Sequence, residues 1–202
     1  LNEGIVTMPS SDVTLEANYE INSYTLTVNP NGGMYNGSVE TKTYTLNYGE
    51  EKIVETPTKE GYTFTGWTST VPEALNEGIV TMPSSDVTLE ANYEINKYTV
   101  TFINEGEEYN KQEVVYKGKV TKPEEPTKEG YTFKYWSKDK ALEYNLEEEV
   151  TEDVTLYSVY EINKYTVTFE NEGQVYETRK VNYKEKVSAP EENPRKENNI
   201  FR

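Results

Sequence analysis

Six carboxylates crowd one stretch of this chain: Glu143, Glu147, Glu148, Glu149, Glu152 and Asp153. Oxygens at that density suit a calcium ion when sharp turns bring several of them to one point, at about 2.4 Å. The stretch has no D-x-D-x-D-G spacing, so a solvated acidic surface is the plainer reading. The lysines raise a second chemistry. A lysine buried beside a carboxylic acid can close a Lys–Asn isopeptide crosslink, but the lysines here sit mostly in turns and junctions, none on an apolar face. The 18 tyrosines raise a third, because aromatic faces stack on sugars. Tyr98, Tyr131 and Tyr160 fall at core-facing positions of a strand pattern, where tyrosine is a half-buried residue by preference. Tyr109, Tyr135, Tyr144 and Tyr157 fall out of phase and are the candidates for ligand contact.

The chain contains no cysteine and no histidine. Zinc sites of the Cys/His kind, thiolate nucleophiles, serine–histidine relays, disulfides and thioesters are therefore excluded. No catalytic residue, metal ligand or cofactor is assigned. With 36 acidic and 20 basic side chains among 202 residues the net charge is −16, which repels phosphate backbones, so nucleic acid is not an expected partner. Only 34% of residues are apolar and no run approaches the ~20 needed to cross a bilayer, so direct membrane insertion is not expected. Leu1-Asn2-Glu3-Gly4 carries no signal-peptide pattern and no initiating methionine, and the expectation is an excerpt from something longer. High charge with low hydropathy would suggest disorder, but 18 Tyr, 5 Phe and 2 Trp argue against it.

Self-similarity sets the organisation. Residues 1–20, LNEGIVTMPSSDVTLEANYE, recur letter for letter at 75–94. EINKYTVTF occurs at 94–102 and 161–169, and PTKEGYTF at 57–64 and 126–133, with Trp67 and Trp136 at matching places. The chain divides into the C-terminal part of a repeat (1–20), two complete repeats (21–94 and 95–161) and the N-terminal part of another (162–202). Carboxylate-pair hydrolysis of a glycoside needs two carboxyls held across a cleft, and a unit of ~70 residues has little core from which to build one.

Within a repeat the apolar period is two. Tyr98, Val100 and Phe102 share a face, as do Tyr165, Val167 and Phe169, and Tyr24, Leu26 and Val28. Asn104-Glu105-Gly106 supplies a turn, after which Val114-Val115-Tyr116 is expected to begin the return strand. Val87, Leu89, Ala91 and Tyr93 mark a closing strand, matched by Val154, Leu156, Ser158 and Tyr160, and by Val13 to Tyr19 in the first segment. Pro57 to Gly61 fits one helical turn or a pair of β-turns. Tyr62, Phe64, Trp67, Tyr131, Phe133 and Trp136 are the expected aromatic core. Trp136 breaks the parity of Tyr131 and Phe133. Either a bulge returns its indole to the core, or it packs on the opposite face against the helical turn. The junctions Tyr93-Glu94-Ile95-Asn96-Lys97-Tyr98 and Tyr160-Glu161-Ile162-Asn163-Lys164-Tyr165 lack the composition of a flexible linker. Strand should run almost directly into strand there, with Ile21, Ile95 and Ile162 at the joints.

A YTVTF-type strand, an Asn/Gly turn, a V-x-Y return, PTKEGYTF followed by Trp, and a closing DVTL strand resemble the internalin B-repeat family, the Listeria–Bacteroides repeat. The resemblance covers the whole chain. It departs at Tyr135, where the family has Gly before the Trp, and at Asn198-Asn199, which replace Gly-Tyr. It implies a mainly β fold: small α+β, tandem β-grasp-like repeats of about four strands with a short helical turn, set in an elongated rod. It also implies an extracellular place on a bacterial surface protein, between a distal binding domain and a cell-wall or membrane anchor. The first reading is a non-enzymatic stalk whose partners are neighbouring repeats of the same larger protein. The alternatives are an adhesin module binding a host or extracellular polymer ligand through repeated exposed aromatics, and a subunit that self-associates head to tail through its incomplete ends.

Overall fold

The computed structural model describes residues 4–191, so Asn198-Asn199 and the turn expected around Pro194 lie outside the described residues. Two compact units divide at Glu94 and Ile95. In the first, β1 (Ser23–Asn29), β2 (Lys42–Asn47), β3 (Glu51–Ile53) and β4 (Tyr62–Ser69) precede a single 3-10 turn at Pro72–Ala74, then β5 (Leu75–Asn76), β6 (Ile79–Thr81) and β7 (Val87–Ile95). The main sheet has the order β2-β1-β7-β4, with β1 and β7 parallel at its centre and Leu26 opposite Val87, Val28 opposite Leu89. A central parallel pair is flanked by partners on both edges, so its alternate side chains are fully buried. Leu26, Val28, Val87, Leu89 and Ala91 expose nothing. A smaller sheet, β3-β6-β5, adds Val80 to the same core, beside Val54 and Met82.

The second unit begins with β8 (Lys97–Asn104), β9 (Glu107–Val115), β10 (Tyr131–Ser137) and β11 (Val154–Ile162), in the order β10-β11-β8-β9. Its central parallel pair has Val100 opposite Val154 and Phe102 opposite Leu156, the register of the first repeat. The hairpin β12 (Lys164–Asn171) and β13 (Gln174–Asn182) follows as a two-stranded sheet. The strand order and parallel centre are β-grasp-like, with irregular chain in place of the long crossover helix.

Trp136 is 2% exposed, and the register of β10 against β11 slips between Phe133 and Tyr135. That bulge turns the indole inward. Gly66 takes the corresponding place before Trp67, at φ 140°, a conformation that side-chain-bearing residues rarely adopt.

Of the two readings of Pro57–Gly61 the turn holds: the Tyr62 N–H donates to Lys59 O at 3.0 Å, and the one 3-10 turn of this repeat comes later, at Pro72–Ala74. Several other expectations are corrected. The return strand starts at Glu107 and ends at Val115, before Tyr116. Its sequence EEYNKQE is polar on both faces, which hides the period. Residues 13–19 form no strand: Leu15 is 61% and Tyr19 92% exposed. Their identical copy in β7 already fills the one slot between β1 and β4. Ile21, expected at a joint, is 61% exposed, since no strand leads into it. Tyr62, expected in the core, lies at the surface with the Lys59 ammonium 4.8 Å over its ring.

Candidate functional site at the joint between repeats

Only Asn163 separates β11 from β12. The stretch Glu161-Ile162-Asn163-Lys164 has no glycine or proline to turn it, so both strands stay extended, and Ile162 pairs with Tyr131 while half-buried. The Asn163 N–H donates to Gly130 O at 2.9 Å, and the Thr132 hydroxyl donates to Asn163 Oδ1 at 2.6 Å. From the other side the Tyr183 N–H donates to Asn163 O at 2.8 Å. One residue therefore ties the third strand of one repeat to the hairpin of the next.

The Tyr183 ring lies over Gly130. A Cβ at residue 130 would come within 1.9 Å of the ring, and Gly130 already sits at φ 77°. Both conditions call for glycine. The Tyr183 hydroxyl donates to the Glu129 carboxylate, and that bond, with some desolvation, pushes the phenol pKa up. Tyr165 packs on Tyr183 with ring centres 6.3 Å apart, and the Lys184 ammonium caps the outer face at 4.8 Å. Lys134 and Glu161 pair at 3.1 Å across the neighbouring strands. This cluster of hydrogen bonds and ring contacts fixes geometry.

The Asn–Tyr half of this cluster recurs in each repeat. The N–H of Tyr48 donates to Asn22 O at 2.9 Å, and that of Tyr116 to Asn96 O at 2.8 Å. The residue after each tyrosine, Gly49, Lys117 and Lys184, has φ of 76°, 59° and 58°. Sequence reasoning named Ile162 here and missed Gly130, Asn163 and Tyr183. The recurrence of Asn and Tyr at fixed places in every repeat, with Gly in both copies of KEGY, was the available signal.

The four tyrosines named as ligand contacts do not gather. Tyr109 is 39% exposed and lies against Trp136, centroids 5.8 Å apart. Tyr144 is half-buried, packing against the second core with its N–H donating to Trp136 O at 2.8 Å. Tyr135 and Tyr144 do line one open groove of about 410 Å³, with Lys122, Glu125 and Glu143. Tyr157 sits elsewhere, half-buried under the Lys140 ammonium at 5.0 Å. Of the other named residues, Phe64 and Phe133 are half-buried and edge toward their tryptophans, both at 5.4 Å; Trp67 is also half-buried, as are Tyr131 and Ile95. The loop carboxylates diverge: Glu147 pairs with Lys119 at 3.0 Å and Glu152 with Lys138 at 3.5 Å. Among the described residues no three acidic side chains converge as a metal site.

Small β-grasp-like units repeated in tandem define a repeat protein. The chain belongs to the internalin B-repeat family: the Listeria-Bacteroides repeat domain matches residues 98–159 and 165–202, and the divergent InlB B-repeat domain matches residues 24–97. Two proteins of Evansella cellulosilytica are each 36% identical to it. A putative membrane protein is matched over 94% of this chain and 29% of its own length, and a putative Gly-rich membrane protein over 96% and 24%. Internalin H of Listeria monocytogenes is 39% identical over 48% of this chain and 19% of its own. The chain thus spans less than a third of these relatives. A solved pair of streptococcal tandem repeat domains, SHIRT domains 3-4 from a cell surface protein, is similar over 70% of this chain and 98% of that one, at 16% identity and a TM-score of 0.26. Among the described residues no helix is long and apolar enough to cross a membrane.

Proposed function

We propose that this segment is a non-enzymatic extracellular spacer of a bacterial surface protein, its partners being the neighbouring repeats of a longer chain. The observation that carries the reading is the joint at Asn163. Backbone hydrogen bonds on both sides and the Tyr183 ring on Gly130 leave the repeats on either side of it little freedom to hinge. A spacer needs that property and needs no reactive group. Without cysteine or a metal requirement it would hold its form in oxidising or chelating surroundings.

The test is backbone ¹⁵N relaxation on the full chain. Amides of 97–162 and of 164–182 should report one rotational correlation time. Gly130→Ala, which forces the ring away, should separate the two, and Tyr183→Ala added to it should relieve the steric conflict without restoring the coupling. Independent tumbling in the unsubstituted chain contradicts the spacer reading. A second reading, an adhesive module, is favoured by the groove shared by Tyr135 and Tyr144. Saturable glycan or matrix binding, lost on substituting those two tyrosines, supports it.

A further inference from the structure

The two complete repeats share PTKEGYTF and the tryptophan that follows it, yet differ beside that tryptophan. Gly66 precedes Trp67, and a Cβ there would meet no atom within 4 Å, so this side of the first repeat is open space. Tyr135 takes that place before Trp136, accommodated by the slip in register between Phe133 and Tyr135. Its hydroxyl donates to Ala141 O at 3.3 Å, which anchors the ring to the following loop. The loops differ as well. Between Trp67 and β7 the first repeat folds β5 and β6, whereas the chain between Ser137 and Val154 makes only the single bridge of Val150 to Gly118. That irregular stretch brings Tyr144, Asn145 and Leu146 to the groove of about 410 Å³ that Phe133 and Tyr135 also line.

We propose that this groove binds a neutral β-1,4-linked glycan, and that Tyr135 confines the site to the second repeat. The volume falls within the range of small-ligand sites, about 300–1,000 Å³. Aromatic faces alternate along the wall with ammonium, carboxylate and amide groups. A sugar ring with equatorial hydroxyls and linkages offers the matching alternation: a flat C–H face that stacks on an aromatic ring, and a rim of hydroxyls that both donate and accept. Tyr135 is the platform, because its hydroxyl bond holds the ring in place before a ligand arrives. The Tyr144 ring already has the Lys138 ammonium 5.3 Å over it. Charge decides between glycans. Lys122 is paired with Glu125 and Lys134 with Glu161, both at 3.1 Å, so the ammonium groups at the groove are matched by carboxylates. Glu143 adds a further carboxylate to the wall, on a chain of net charge −16, and a sulfated or carboxylated polymer would be repelled. This assignment rests on the adhesive reading and is independent of the spacer reading.

Each complete repeat carries one tryptophan, so the two indole N–H resonances of the full chain report on the two repeats separately. Trp136 lines the groove, and its Nε1–H is buried without a hydrogen-bond partner. Cellotetraose, and a heparin tetrasaccharide as the anionic probe, are titrated into the ¹⁵N-labelled full chain to about 10 mM, a range suited to one shallow site. With cellotetraose the Trp136 indole and the amides of 133–136 and 144–146 should shift saturably, and those of Trp67 and 64–67 should stay in place. Tyr135→Gly, which supplies the first repeat's residue, should weaken binding at least about tenfold, and Tyr135→Phe, which keeps the ring, should stay within about threefold. Tyr135→Thr, a strand-favouring residue without a ring, should repeat the loss with the amides of β8 and β11 unmoved, which separates the missing platform from a loosened strand. Affinity unchanged by both ring-removing substitutions, or equal shifts in both repeats, overturns the proposal. Groove shifts with the heparin tetrasaccharide alone overturn the neutral-glycan assignment and leave the adhesive reading in place. No shift with either probe removes the groove as a glycan site, and with it the observation behind that reading.

Discussion

Leu15 and Leu89 have the same neighbours for fourteen residues before and seven after, and opposite surroundings. Leu89 lies in a nine-residue strand and exposes nothing; Leu15 lies in irregular chain and is 61% exposed. Asp86 accepts the Thr25 N–H, and Tyr93 reaches Pro30. Their copies Asp12 and Tyr19 are exposed. Local propensity is identical by construction, so it cannot separate the two. The difference is the slot: β7 lies between β1 and β4, which satisfy its backbone on both edges, and its apolar residues join Leu26, Val28, Val80 and Met82 in one core. Strand formation here is a property of the place offered, and the sequence supplies only the fit.

The largest disturbance of that balance comes from removing the aromatic wall of a repeat. Trp136 packs on Phe102 at 4.9 Å and on Phe133 at 5.4 Å. Trp136→Ala should destabilise the second repeat by about 3–5 kcal/mol in denaturant melts and leave β11 as poorly housed as residues 13–19. The sharpest use of the comparison is a matched pair. Leu89→Ala should cost about 3 kcal/mol and Leu15→Ala less than about 0.5 kcal/mol, by the same melts at low protein concentration. A smaller matched pair follows: Asp86→Ala should cost about 1–2 kcal/mol by leaving the Thr25 N–H without its acceptor, and Asp12→Ala nothing measurable.

The smallest effect concerns the loop that follows Trp136 in the second repeat. The Asp139 carboxylate accepts the N–H groups of Ala141 and Leu142 and the Ser137 hydroxyl, which holds its pKa below the usual aspartate value. A depressed folded-state pKa contributes stability above the ordinary aspartate pKa, and that contribution is lost as pH falls through the depressed value. The Ala141 and Leu142 amide shifts should therefore move together on acidification, at a lower pH than for a free aspartate, and Asp139→Asn should abolish the step.

Strands with an apolar period are legible in the sequence alone: Tyr98-Val100-Phe102 and Val154-Leu156 announce a buried face, and the linker-free junction announces continuous strands at Asn163. The bulge at Trp136 is legible as one of two answers, because the parity break is visible but its resolution depends on packing. Three features are hidden for physical reasons. The stretch EEYNKQE of β9 is polar on both faces, so its edge position erases the pattern. The sheet β3-β6-β5 has strands of two or three residues, too short for any period. Residues 13–19 carry the pattern of a strand without the slot. At the joint, Gly130 and Tyr183 meet from different repeats across 53 positions, so only their recurrence from repeat to repeat could point to them.

Because residues 5–19 and 79–93 have the same sequence, protease digestion gives peptides of one mass from both copies. Hydrogen–deuterium exchange on the full chain in dilute solution, read by mass spectrometry, compares them within a single spectrum. Differing environments predict two isotopic envelopes: one reaching full exchange at the rate of an unstructured peptide, the other held back by the hydrogen bonds of β6 and β7. A single envelope, fast or slow, would contradict the claim that the slot decides which copy becomes a strand.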